Sequence, residues 1–154
     1  MAPSAIHVAY KRYYPMIRAK CRRMLRDEAA AEDVAQETFL RFWRATELHN
    51  AGAKPISAWL YKTSSRLAID LIRRRKTVPL TQEPGSGMDP IRRHHAALDL
   101  DRIARDTPDD ELMAVLLNRV DGLTQVEVAE VMQQSERSVR RLLARFDASH
   151  GRRS

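Results

Sequence analysis

The 154-residue sequence has one cysteine, Cys21, only five glycines, and no long hydrophobic run. A single cysteine excludes an internal disulfide and any multi-cysteine zinc site. No stretch approaches the roughly 20 apolar residues that a membrane span needs. The N-terminus also lacks the apolar run that is typical of a secretory signal peptide. We therefore expect a cytoplasmic protein that does not insert into a membrane.

Negative charge is the minority charge of this chain. The 27 lysines and arginines outnumber the 20 acidic residues, which gives a formal net charge of +7 and a pI near 10.1. Such an excess favours a polyanionic partner, either nucleic acid or an anionic membrane surface. The hydrophobic content of 44% is enough for a small core. The length alone fits one domain or two small ones.

Scarce glycine and long stretches of Ala, Leu, Arg and Glu predict an all-α protein. Apolar residues at steps of three and four mark one face of a first helix: Ile6, Tyr10, Tyr13, Ile17, Cys21 and Met24. A second helix begins at about Ala30, and its apolar stripe is Ala31, Val34, Ala35, Phe39, Phe42 and Trp43. After a loop from His49 to Pro55, a third helix follows Ser57 with Leu60, Ser64, Leu67 and Leu71 inward.

The composition changes after Lys76. The segment TVPLTQEPGSGMDP combines proline, glycine and serine without a helical period, which indicates a flexible linker. A short helix could follow in IRRHHAALDLDRIAR. We therefore predict two small helical bundles, residues 1–76 and 106–154, joined by a linker over residues 77–105.

The C-terminal bundle has the local signals of a helix-turn-helix. Thr107 is predicted to cap a first helix, with Pro108 at the first helical position. Thr124 and Glu127 form a predicted capping box after the break at Asp121-Gly122. A turn at Gln133-Gln134 leads to a last helix that Ser135 caps. A short helix, a tight turn and a capped second helix are the helix-turn-helix plan.

The last helix presents basic side chains that suit a DNA groove: Arg137, Arg140, Arg141 and Arg145. In a helix-turn-helix the start of the second helix enters the major groove, where arginine binds guanine edges or phosphates. The alternative is a solvated arginine face on an ordinary helical hairpin. The caps, the turn length and the basicity of the whole chain favour DNA binding.

The middle helix, Ser57 to Lys76, has six basic residues and one acid, Asp70. Trp59 and Tyr61 stand near its start. Aromatic rings stack on unpaired bases while arginine and lysine follow the backbone, so this combination suits melted DNA. The alternative is that Trp59 belongs to the core and the arginines only solubilise the helix.

Three stretches in this order resemble the extracytoplasmic-function sigma factors of bacterial RNA polymerase. AEDVAQETFLRFWRA resembles their region two core-binding helix, AWLYKTSSRLAIDLIRRRK the adjoining helix, and LLNRVDGLTQVEVAEVMQQSERSVRRLLAR the region four helix-turn-helix. The resemblance implies a protein that directs core polymerase to promoters, with no catalytic residue, cofactor or metal. Core RNA polymerase and promoter DNA would be its partners, and an anti-sigma factor is a further candidate.

The resemblance assigns three sets of residues. The polymerase-binding set is Asp33, Gln36, Glu37 and Leu40. The minus-ten DNA set is Trp59, Tyr61, Lys62, Arg66, Arg73 and Arg74. The minus-thirty-five DNA set is Thr124, Ser135, Arg137, Ser138, Arg140, Arg141 and Arg145. An acidic edge on the second helix would thus face a basic protein surface, although acids early and arginines late in a helix also complement its dipole.

Two departures from the family pattern concern promoter choice. Arg66 stands where the family often has an Asn that reads a flipped base, and Arg137-Ser138-Val139 stands where Gly-Thr-Val is common. Arg141-Leu142 likewise replaces Ser-Arg.

Two other classes of protein are alternatives. A stand-alone helix-turn-helix regulator would usually need a dimer seam or an effector domain, and neither is clear in the sequence. An enzyme would have to use His94-His95 and scattered acids, and no carboxylate pair or ligand spacing supports one.

Overall fold

The computed structural model of the chain describes residues 4–75 and 100–150, and within these ranges every regular element is a helix. The first three α-helices are α1 (Ala5–Leu25), α2 (Glu28–Arg44) and α3 (Ala53–Arg74), with a short 3₁₀ turn at Thr46–Leu48. Residues 100–106 are helical and are called α4. The remaining helices are α5 (Asp109–Val115), continued by a π-helical turn at Leu116–Val120, α6 (Gln125–Met132) and α7 (Glu136–His150). The all-α prediction is confirmed.

The chain divides into two compact units, Met1–Asp101 and Arg102–Ser154. Most of the predicted linker, residues 77–99, lies outside the described residues, and so does the pair His94-His95. Of the short helix predicted within residues 91–105, only the part from residue 100 onward is described, and it is helical. The residue limits of the two bundles and the linker stay a prediction.

The first unit is a bundle of α1, α2 and α3. The hydroxyl of Ser4 caps α1 by accepting from the His7 N–H, and the carboxylate of Asp27 caps α2 by accepting from the Ala30 N–H. Large apolar side chains from all three helices are fully buried at its centre: Ile17, Leu25, Phe42, Leu60, Ile69 and Ile72. This core fixes which faces of the three helices remain at the surface.

Helices α1 and α3 run in the same direction, because their contacts follow one order along both. The Tyr13 hydroxyl donates to the carbonyl oxygen of Ala53 (3.4 Å). Further along, Lys20 donates to the carbonyl oxygen of Tyr61 (2.9 Å). At the far end, the guanidinium of Arg75 donates to the carbonyl oxygen of Leu25 (2.8 Å). The C-terminal ends of α1 and α3 therefore lie together.

Several predictions about helix faces in this unit are corrected. Trp43 was predicted in the apolar stripe but is 60% exposed. The buried face of α2 is centred on Ala31, Ala35, Thr38 and Phe42, and because the helix turns by about 100° per residue, Trp43 lies to one side of that face. On α1, Tyr10 is also 37% exposed. On α3, Leu67 and Leu71 are only half-buried. The predicted Leu60 and Ser64 are fully buried, but toward the end of the helix the buried positions are Ala68, Ile69 and Ile72. The inward face of α3 is therefore as predicted in its first half and rotated from the prediction in its second half.

Two helix starts also differ from the prediction. Helix α2 begins at Glu28, and α3 begins at Ala53, so the end of the predicted His49–Pro55 loop is helical. Pro55 is compatible with this, since the N–H groups of a first helical turn need no partner within the helix.

The second unit packs α5, α6 and α7 around Leu112, Met113, Leu117, Val128 and Val139. Thr107 does not cap α5: Pro108 occupies the N-cap position with a ψ of 150°, and no side chain caps this helix. The helix consequently begins at Asp109, one residue later than predicted. Three acids, Asp109, Asp110 and Glu111, occupy its first turn, where they complement the positive end of the helix dipole.

Candidate protein and DNA interfaces

One side of α2 presents the predicted polymerase-binding set. Asp33, Gln36, Glu37 and Leu40 are spaced at three and four residues, which places them on one helix face. Asp33 and Gln36 are exposed, Leu40 is 44% exposed, and Glu37 is half-buried. Glu37 accepts a hydrogen bond from the Arg41 Nε (3.1 Å). The face therefore combines acidic, amide and apolar groups at the surface.

The amide of Gln36 is held by side chains that the sequence did not single out. Gln36 Nε2 donates to the Tyr14 hydroxyl (3.2 Å) and to Glu32 Oε1 (3.2 Å). The Tyr14 hydroxyl donates to Glu32 Oε1, and the Arg18 Nε lies 2.7 Å from Glu32 Oε2. Tyr14 and Arg18 come from α1, so this cluster connects α1 to the exposed face of α2.

The contacts in this cluster shift the pKa values of Glu32 and Tyr14. The hydrogen bond from Tyr14, followed by that from Gln36, lowers the pKa of Glu32. Burial, followed by the hydrogen bond to Glu32, raises the pKa of Tyr14. Both shifts favour a protonated phenol bound to an ionised carboxylate. The cluster thus keeps Gln36 in a defined position near neutral pH.

The predicted minus-ten set does not occupy a single face of α3. Trp59, Lys62, Arg66 and Arg73 lie at helical spacing on one side and are half-buried. The Trp59 ring also packs at 5.9 Å from the Phe42 ring, so it belongs partly to the core. Tyr61 points elsewhere: the Lys20 ammonium lies 5.7 Å from its ring centroid.

The helix-turn-helix forms with the predicted local chemistry. The Thr124 hydroxyl accepts from the Glu127 N–H (3.1 Å), and the Glu127 carboxylate accepts from the Thr124 N–H (3.0 Å). Gln133 ends α6 with a φ of 55°. The Ser135 hydroxyl then accepts from the Ser138 N–H (3.0 Å) at the start of α7. The predicted capping box, turn and second cap are confirmed.

The predicted arginine face of α7 is at the surface. Val139, Leu143 and Phe146 are buried, whereas the basic residues are all exposed: Arg137, Arg140, Arg141 and Arg145. Arg140 lies 3.3 Å from the Glu136 carboxylate one turn earlier. This exposed face has the charge and the helix position that major-groove binding requires.

An ion pair that the sequence analysis missed holds the far end of α7. Both amino groups of Arg119 contact the carboxylate of Asp147, at 2.6 and 2.8 Å. The Asp147 hydrogen bond raises the pKa of Arg119, and the guanidinium also lies 5.9 Å from the Phe146 ring centroid. The two residues are 28 positions apart, so no local spacing indicated the pair.

Neither a metal centre nor a membrane span emerges from the described part of the chain. Within residues 4–75 and 100–150, no group of three or more His, Cys, Asp or Glu side chains could hold a metal ion. No helix in the same ranges is long and apolar enough to cross a membrane.

Two family models match the chain in the order of its two units. Residues 9–78 match Sigma-70 region 2, and residues 108–145 match Sigma-70 region 4. These two matches identify the chain, a bundle with an exposed acidic face followed by a helix-turn-helix, as a sigma-type transcription initiation factor. The chain belongs to the sigma-70 family and, within it, to the extracytoplasmic-function sigma factors.

Individual relatives support this assignment over most of the chain. The sequence is 30% identical to the RNA polymerase sigma factor CarQ of Myxococcus xanthus over 137 residues, which cover 82% of this chain and 76% of the relative. It is 28% identical to the ECF RNA polymerase sigma factor SigW of Bacillus subtilis, covering 78% and 73%.

A further relative is much longer. The probable RNA polymerase sigma factor RfaY of Xanthomonas campestris pv. campestris is 31% identical over 80% of this chain, but the match spans only 34% of that relative.

Proposed function

We propose that this chain binds core RNA polymerase in the cytoplasm and directs it to specific promoters, where it helps to open the DNA. The observation that carries the proposal is the order of region 2 and region 4 on one chain, each with its own exposed surface. A stand-alone regulator, the alternative from the sequence, would have no use for the first of these regions. Promoter DNA and core polymerase are the proposed partners, with an anti-sigma factor as a further candidate.

The face of α2 is the proposed contact with polymerase. Asp33, Gln36 and Glu37 would meet a basic protein surface, and Leu40 would add an apolar contact. Support comes from the exposure of Asp33 and Gln36 and from the cluster that fixes the Gln36 amide. A side chain that is already held in position loses less conformational entropy on binding.

Each of the two DNA surfaces would bind a different element of the promoter. The arginine face of α7 suits the intact duplex of the minus-thirty-five element, because an α-helix fits the major groove. The side of α3 with Trp59, Lys62, Arg66 and Arg73 suits the melted minus-ten strand, because an aromatic ring accompanies the cations there.

Reconstitution with bacterial core polymerase tests the proposal. The protein and core enzyme would be mixed with genomic DNA, and the transcript starts would be sequenced. We expect starts at a defined set of promoters, and weak promoter binding by the protein without core, because one helix-turn-helix supplies few base contacts. Tight binding by the protein alone, as a dimer on a palindrome and without new transcript starts, would contradict it.

A further inference from the structure

Arginines gather at the end of the first bundle where α1 and α3 both terminate. The hydrogen bond from Arg75 to the carbonyl oxygen of Leu25 brings the two helix ends together. The cluster consists of Arg22 and Arg23 in the last turn of α1, Arg73 and Arg74 in the last turn of α3, and Arg26 and Arg75 directly after these helices. We call these six residues the arginine end. Its α1 members belong to none of the DNA-binding sets described above.

Few acids balance this charge. Among the described residues, Asp27 and Glu28 at the start of α2 each lie beside an arginine of this cluster: Glu28 lies 2.9 Å from Arg22, and Asp27 lies 4.0 Å from Arg75. The two segments that form this end, residues 22–28 and 70–75, contain these six arginines and three acids, Asp27, Glu28 and Asp70, which is an excess of three positive charges. A local excess of one sign on a small surface attracts polyanions.

Complementing the helix dipoles explains only part of this cluster. Cations in the last turn of a helix interact favourably with its carbonyl end, and Arg22 and Arg23 already occupy that turn of α1. Arg26, however, lies beyond the helix in the left-handed conformation, with φ 55° and ψ 30°. Glycine adopts this conformation with the least strain. The chain therefore has a cation at a backbone position that glycine would fit better.

We propose that the arginine end binds phosphates of the promoter duplex next to the minus-ten strand, with Arg23 and Arg26 as DNA contacts contributed by α1. This inference rests on the proposed function. Trp59 stands near the start of the DNA-facing side of α3, and Arg73 near its end. Stacking on an aromatic ring suits unpaired bases. A cation cluster without aromatics suits duplex, which has the higher linear density of phosphates.

The salt dependence of promoter binding tests the proposal. Holoenzyme would be assembled from core polymerase and the full chain, and its affinity for duplex promoter DNA measured over a range of salt concentrations. Arg26→Gly and Arg23→Ala are each expected to reduce the slope of log K against log salt by about one. Arg26→Gly should also keep or raise the melting temperature, because glycine relieves the left-handed backbone. A purely structural role for Arg26 would instead lower it.

Lys11→Ala is the matched control, because Lys11 is an exposed cation near the other end of α1. It should leave the slope unchanged. Wild-type slopes for both arginine variants, or an equal change for Lys11→Ala, would overturn the inference while holoenzyme assembly still supported the proposed function. Weaker binding to core without DNA would assign the cluster to a protein partner and would also overturn it. Failure of the wild-type chain to bind core at all would contradict the proposed function itself.

Discussion

The ammonium of Lys20 on α1 lies 2.9 Å from the carbonyl oxygen of Tyr61 and 3.0 Å from the hydroxyl of Ser64, both on α3. Lys20 is only 2% exposed, and Ser64 is fully buried. A cation with a long aliphatic stem thus connects two parallel helices inside the core. Its stem fills space, while its ammonium binds polar groups of α3.

Replacing Lys20 separates these two contributions. Lys20→Ala removes the stem as well as the charge, and we expect a loss of about 2–4 kcal/mol in the free energy of unfolding, as for other large-to-small core changes. Lys20→Met keeps most of the volume. The Ser64 hydroxyl and the Tyr61 carbonyl still bond to each other (3.1 Å), so this loss should stay below about 1.5 kcal/mol. Urea unfolding of both variants measures the difference, and equal losses would show that the ammonium contacts dominate.

The Tyr14–Glu32 hydrogen bond predicts a loss of stability at alkaline pH. The pKa of Tyr14 is raised in the folded protein above its ordinary value of 10.0, so the folded state keeps a proton that the unfolded chain releases. Stability from this group is therefore complete below pH 10 and is lost as the pH rises through the folded pKa. Tyr14→Phe cannot show this loss. The stability difference between wild type and Tyr14→Phe should narrow above pH 10 in denaturant titrations, and a constant difference would contradict the shift.

The lowered pKa of Glu32 predicts a loss of stability at acidic pH. Its pKa is lowered in the folded protein by the Tyr14 and Gln36 hydrogen bonds. Stability from the ionised carboxylate is present above the unfolded value of 4.5 and is lost as the pH falls through the folded pKa. In Glu32→Gln, the free energy of unfolding should therefore fall less steeply than in wild type as the pH drops from 5 to the folded pKa of Glu32. A pH dependence identical to that of wild type would contradict it.

The proposed contact of α2 with polymerase is tested with a double variant. Asp33→Ala with Gln36→Ala should weaken core binding in a pull-down while the melting temperature falls only slightly, because both side chains are exposed and Gln36 loses only surface hydrogen bonds, to Tyr14 and Glu32. Asp70→Ala is the control, since it removes an exposed acid from α3. Core binding that is unchanged in the double variant, or equally reduced in Asp70→Ala, would exclude this face as the contact.

Most local interactions could be predicted from the sequence, although the Thr107 cap was wrong. The Thr124–Glu127 capping box and the Ser135 cap join residues three positions apart, so their chemistry is visible in the sequence itself. Helical periodicity also identified the buried Phe39 and Phe42. It failed at Trp43, because an apolar residue at helical spacing from Phe39 can still lie to one side of the face that Phe42 buries.

Contacts between distant residues could not be predicted in this way. The Tyr14–Gln36 and Arg119–Asp147 contacts join residues 22 and 28 positions apart. They depend on how helices pack, and their residue types are common on any helix surface. The same limit applies to the arginine end, since its α1 and α3 residues come together only because the two helices are parallel.

The two departures from the family pattern lead to the last prediction. Arg141 is exposed on α7, where bidentate contact with guanine is the commonest specific use of arginine. Arg66 lies on the side of α3 with Lys62 and Arg73, and a contact with phosphate there would carry no direct sequence information. Specificity should therefore depend on the minus-thirty-five element more than on the minus-ten element.

A promoter-library selection with Arg141→Ala and Arg66→Ala holoenzymes tests this difference. Arg141→Ala should cost about 1–3 kcal/mol at particular minus-thirty-five base pairs and relax the preference there. Arg66→Ala should weaken all promoters alike and reduce the salt slope by about one phosphate contact. Lys11→Ala removes the same charge from an exposed position far from Arg66 in sequence. It should change the base preference at neither the minus-ten nor the minus-thirty-five element. A changed minus-ten base preference in Arg66→Ala would show that Arg66 reads sequence, because a phosphate contact affects every base pair equally.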